Sequence, residues 1–128
     1  WFAEQKGLHI DAWAKINGLE FEGKSYALQF TDAAPNPADE KLWLINLGGY
    51  DPHEFGELHR YVLIVAQNAM VAKQRGKAYF ARHWQKQHTD RVLDVDGCLA
   101  IDQVYGRYVQ LVEGSFSDNH WENTYLTI

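Results

Sequence analysis

Apolar and polar positions along the chain fall into short runs whose spacing changes from one stretch to the next. In 41–47, Leu42, Leu44 and Ile45 are apolar and Trp43 is a large aromatic, which predicts a strand. Gly48-Gly49 follows and reaches backbone angles closed to other residues, so the pair predicts a turn that ends the strand. After a loop through Asp51 and Pro52, 58–66 reads as a second strand, apolar at successive central positions. Such a run predicts a strand covered on both faces and central in its sheet. The spacing then becomes helical. Ala72, Gly76, Tyr79, Phe80, His83 and Trp84 fall near one face of a helix that reaches about Lys86, with Asn68 as its N-cap. Gly76 costs about 1 kcal/mol against alanine inside a helix, so it marks a kink or close packing against a sheet. Strands at 92–95 and 108–112, joined through 102–106, complete a β-β-α-β-β unit. The expected fold class is α+β: a two-layer sandwich of mainly antiparallel sheet with one long helix on one face.

Two segments line up at a constant offset. Leu8-His9-Ile10-Asp11 and Ile16 stand opposite Leu93-Asp94-Val95-Asp96 and Ile101, 85 positions apart (93 − 8). Trp1 falls near Trp84 after a two-residue shift, and Gly23-Lys24 sits opposite Gly106-Arg107, each leading into an alternating strand. The chain therefore reads as a duplicated unit whose first copy is truncated. Residues 1–30 are the C-terminal part of the first repeat, 31–40 a linker with Pro35 and Pro37, and 41–114 a complete second repeat. Residues 115–128 form a tail with Phe116, Trp121, Tyr125, Leu126 and Ile128, too apolar to be solvated and expected to pack on the domain. The strands near Leu8 and Tyr26 need partners, since an isolated hairpin is marginal in water; the second unit's sheet or another chain are the expected ones.

Composition narrows the function classes. A net charge of −5 over 128 residues argues against a general nucleic-acid surface. With Cys98 as the single cysteine, no intrachain disulfide is possible. The longest apolar run, 61–66, is far too short for a membrane helix, and no signal peptide is visible.

The run Trp43-Leu44-Ile45-Asn46-Leu47-Gly48-Gly49-Tyr50, then Gly56-Glu57-Leu58-His59 and the following apolar strand, resembles the bacterial family of unknown function DUF1543, as does Gly7-Leu8-His9-Ile10-Asp11. The resemblance implies a bacterial origin, a cytoplasmic location and frequent duplication. It implies no activity, substrate or cofactor. Asp94 stands where the first copy has His9, so a role for that histidine is not shared by both copies.

Three groups of residues carry candidate chemistry. His53, Glu57 and His59 can supply nitrogen and carboxylate ligands to a divalent metal, or a general base and its orienting partner. The same residues more often cap loop amides or face water at a strand edge. Glu57 and His59 are two apart at a strand start and share a face, and His9 and Asp11 form a second such pair. Asp94 and Asp96 also share a face of a regular strand; they can bind a cation, although a half-solvated strand gives the same alternation. The stretch 69–86 holds Lys73, Arg75, Lys77, Arg82 and Lys86 and no acid, which suits a solvated face or an anionic partner. Cys98 has no sequence neighbours that point to a nucleophile.

The first expectation is a non-enzymatic ligand-binding or regulatory module with tentative site residues Gly48, Gly49, His53, Glu57, His59, His9 and Asp11. The alternatives are a metal-assisted small-molecule hydrolase using the His/Glu cluster, and anion or nucleic-acid binding by the basic helix. No cofactor is required by the first reading, a divalent metal by the second. Among partners, a homodimer is compatible with the basic helix and the acidic remainder, and no membrane partner is expected.

Overall fold

The computed structural model describes residues 7–50, 53–83 and 91–127, with backbone alone for 91–94. The expectations placed on Trp1, Asp51, Pro52, Trp84, Lys86 and the Asp94 side chain lie outside the described residues. The elements are β1 (His9–Lys15), β2 (Gly18–Phe21), β3 (Lys24–Thr31), β4 (Lys41–Tyr50), β5 (Leu58–Ala66), α1 (Ala69–His83), β6 (Arg91–Ile101), β7 (Gln103–Val104), β8 (Arg107–Glu113) and β9 (His120–Thr127). The fold is α+β, mostly antiparallel sheet with one helix. No described helix is long and apolar enough to cross a membrane. The chain divides into two compact units, Gln29–Val112 and Trp1–Leu28 with Glu113–Ile128.

In the unit Gln29–Val112, three antiparallel strands lie in the order β5-β4-β6, and α1 packs on one face. The central strand is β4, not β5. Leu42, Trp43, Ile45 and Leu47 are buried, and β4 bonds neighbours on both edges. Continuous apolar character in β5 reports buried side chains, Ile64, Val65 and Ala66, rather than two paired edges. Its first half, His59 to Tyr61, is exposed. The Trp43 indole N–H donates to the Ala66 carbonyl at 2.9 Å, so the large ring is buried with its polar atom satisfied.

Gly48-Gly49 does not turn the chain. β4 continues through both glycines to Tyr50, pairing Gly48 with His59 and Gly49 with Leu58. Gly48 serves to leave space: a Cβ there would meet the side chains of Asp96 and Glu57.

The helix begins as its cap residue dictates. The Asn68 side-chain oxygen accepts from the Val71 N–H at 3.0 Å, and the Asn68 carbonyl from the Ala72 N–H at 2.9 Å. Asn68→Ala is expected to cost about 1 kcal/mol, measured as a lower urea midpoint at unchanged slope. Ala72, Gly76 and Phe80 form the buried stripe. A Cβ on Gly76 would stand 3.0 Å from Ile45 Cγ2, so this glycine serves close packing. That close approach narrows the stripe. Tyr79 and His83, expected on the buried face, lie exposed and stack on each other at 4.1 Å. Half-buried Cys98 stands opposite Ile45 in β6.

In the other unit, β1 pairs with β9, and β2 with β3. The partner of β1 is thus the C-terminal segment, not the sheet of the second unit. Asn119, just before β9, holds this arrangement: its side-chain oxygen accepts from the Asn17 and Gly18 N–H groups at 2.7 and 3.3 Å, and its amide donates to the Gly18 carbonyl at 2.8 Å. Three partners depend on one side chain. Asn119→Ala is therefore expected to destabilise this unit by about 1–3 kcal/mol, seen as faster amide exchange in β1 and β9.

Both units contain a hairpin with the same backbone signature. Glu22 and Gly23 have φ of 49° and 78°, and Tyr105 and Gly106 have 50° and 77°. Two successive positive φ values close a two-residue hairpin with the twist its strands require.

Candidate functional site

The side chains of interest lie on the face of the three-stranded sheet opposite α1. Because Ile45 meets the helix, alternation along β4 puts Leu44, Asn46 and Gly48 on the other face. His59 pairs directly with Gly48 and shares that face, and Glu57 lies two residues earlier. Gly56, at φ 98°, turns the loop into this position.

The third member comes from β6 through an irregularity. Asn46 pairs with Gly97, but Leu47 pairs with Val95, so Asp96 is an extra residue in the ladder. An extra residue breaks strict alternation and re-aims its side chain. Asp96 reaches over Gly48: a Cβ there would lie 2.5 Å from Asp96 Oδ2 and 2.7 Å from Glu57 Oε1. Only glycine leaves room for both carboxylates. This is the physical reason for glycine inside a buried strand.

The His59 ring lies beside both acids. Nδ1 is 3.2 Å from Asp96 Oδ2, and Nε2 is 3.7 Å from Glu57 Oε2. One ligand atom from each of Glu57, His59 and Asp96 lies within 4.8 Å of the others. Their side chains keep 35 %, 42 % and 34 % of their surface exposed, so a small ligand reaches them from solvent. With neutral imidazole the set carries a formal charge of −2. Beside it, the Asn46 side-chain oxygen is buried and has no hydrogen-bond partner among the described residues. Tyr61 and Leu99, 66 % and 62 % exposed, leave an apolar surface along the same face.

The remaining candidates are arranged differently. His53 is exposed in the loop before Gly56 and is not one of the three converging donors. Gly49 is buried in β4. His9 and Asp11 belong to the other unit, where His9 Nε2 is 3.3 Å from Asp11 Oδ1 and the His9 ring stacks on Tyr125. The residue that sequence reasoning left out of the site is Asp96. Its pairing with Asp94 assumed a regular strand, and the extra residue removes that assumption.

A groove of about 380 Å³ also borders His59, but its Leu47, Val62, Tyr79, Phe80 and His83 belong to the helix side. On α1, Arg75 is held by Glu40 at 3.0 Å and by the Val65 carbonyl, and Arg82 donates to the Ala78 carbonyl at 3.4 Å. Part of the basic character of the helix is thus used within the unit. No family model, no curated protein and no solved structure matches this chain.

Proposed function

We propose that this chain is a non-enzymatic binding module that captures a small cationic ligand on the helix-free face of its three-stranded sheet. The observation that carries this reading is the convergence of Glu57, His59 and Asp96 over Gly48. Two carboxylates close together in a partly desolvated setting repel each other, and a bound cation relieves that repulsion. Tyr61 and Leu99 supply apolar surface beside the charged centre. The test is a two-dimensional NMR titration of the full chain with a panel of small inorganic and organic cations. Shifts confined to residues 46–48, 57–61 and 96–99 are expected. No shifts, or shifts confined to α1 with anionic probes, would discard the reading.

The proposal includes the duplicated β-β-α-β-β unit and the likeness to DUF1543. Three features support duplication. The Glu22-Gly23 and Tyr105-Gly106 turns have matching φ values. Asp11 in β1 and Asp96 in β6, 85 positions apart (96 − 11), both lie at a ladder irregularity, with the extra residue in the partner strand β9 at the first and in β6 itself at the second. Finally, β9 pairs with β1 as β4 pairs with β6: Asn123 stands opposite Ala12 and Asn46 opposite Gly97, and Ala12 and Gly97 are again 85 apart (97 − 12). On this reading β9 opens a further copy of the unit. The likeness to DUF1543 rests on the Gly48-Gly49 and Glu57-Leu58-His59 residues, of which Gly48, Glu57 and His59 belong to the proposed site.

A further inference from the structure

We infer that Glu57, His59 and Asp96 form a site for a divalent transition-metal ion of the zinc class, with one coordination position left for water. The inference rests on the binding-module reading and names the ligand of the same site.

Donor chemistry sets the class of ion. Calcium and magnesium are held by oxygen, whereas imidazole nitrogen with carboxylate oxygen suits zinc and its neighbours. Geometry supports the same choice. Two ligands on a tetrahedral zinc stand roughly 3.4 Å apart, and His59 Nδ1 and Asp96 Oδ2 are 3.2 Å apart. Glu57, the residue before β5, carries its carboxylate on a flexible stem that already leans over Gly48. Each donor comes from a sheet strand or its immediate approach, with β4 between β5 and β6 as a fixed spacer. A rigid sheet holds a metal site more tightly than loops do.

A second observation lies outside the acids. The Asn46 side-chain oxygen is buried without a hydrogen-bond partner among the described residues, two residues along β4 from Gly48 and on the same face. Buried acceptors are nearly always satisfied, and an exception asks for a water or ion. Three protein ligands leave a fourth tetrahedral position for water, and a water held there would offer a donor to the side of the sheet that carries Asn46. No residue of the basic helix, and neither His9 nor His53, is needed for this set.

The experiment is calorimetric titration of the full chain with zinc chloride, alongside visible absorption on cobalt(II) addition. One equivalent of zinc and the absorption bands of four- or five-coordinate cobalt are expected. Asp96→Asn, Glu57→Gln and His59→Gln should each weaken zinc by about tenfold to a hundredfold or more, while His9→Gln leaves affinity unchanged. Asp96→Asn is nearly isosteric, so its folding is checked by an unchanged far-ultraviolet spectrum. If zinc fails to bind, or binds equally well to all three site variants, the metal assignment is overturned. Organic cations still shifting the Gly48 face would then keep the binding module and remove only its metal; silence from both series would remove both.

Discussion

Replacing Phe80 by alanine is expected to destabilise the helix-bearing unit by about 3–5 kcal/mol. Phe80 is 1 % exposed and is the largest of the fully buried side chains among the described residues. It sits where α1 closes on the sheet, in line with Ala72 and Gly76. Those two positions offer little side chain to fill a void, and Ile45 is already in contact with the helix at Gly76. The cavity left by the ring therefore has few neighbours able to collapse into it. Domains of this size have about 5–15 kcal/mol of stability in all, so much of the margin would go. Urea unfolding followed by tryptophan fluorescence measures it; a loss under about 1 kcal/mol would show that α1 is not held through this contact.

Gly48→Ala is expected to have the opposite profile: a small effect on the fold and a large one on the site. The added methyl would meet Asp96 and Glu57 carboxylate oxygens at 2.5 and 2.7 Å, so those groups must move. Both are ends of side chains with solvent beside them, and they swing away at little cost to β4. Stability should change by no more than about 1 kcal/mol, whereas zinc affinity should fall by roughly tenfold or more, as for disturbed support of a metal ligand. Thermal unfolding and zinc titration on the same sample separate the two effects. Unchanged affinity in a folded variant would mean that the three donors do not meet over Gly48.

The sequence carried the parts of this fold that depend on local pattern. The cap at Asn68, the 58–66 strand and the buried Ala72, Gly76 and Phe80 could be read because capping and periodicity act over a few residues. Pairing order could not be read in the same way. An apolar run in β5 looks central whether its neighbour is on one edge or two, and β4 took the centre because both of its edges are bonded. Gly48-Gly49 misled for a related reason. Glycine permits a turn, but it also permits another side chain to cross the strand, and only the tertiary neighbours Asp96 and Glu57 distinguish these uses.

The site was half legible. Glu57 and His59 share a strand face by spacing alone, and they do converge. His53, close in sequence, is not a member of the set. Asp96 lies 37 positions beyond His59 (96 − 59) and enters through one extra residue in the β4–β6 ladder. No local signal announces such an irregularity; Gly97, the next residue, is its nearest trace, since glycine within a strand often accompanies a bulge.

Anomalous diffraction from crystals of the full chain grown with zinc tests the central claim most directly. The expected result is one strong peak above Gly48, about 2.0–2.2 Å from a His59 ring nitrogen and from carboxylate oxygens of Glu57 and Asp96. A peak at other histidines with this face bare, or a structure in which Asp96 points away from His59, would contradict it.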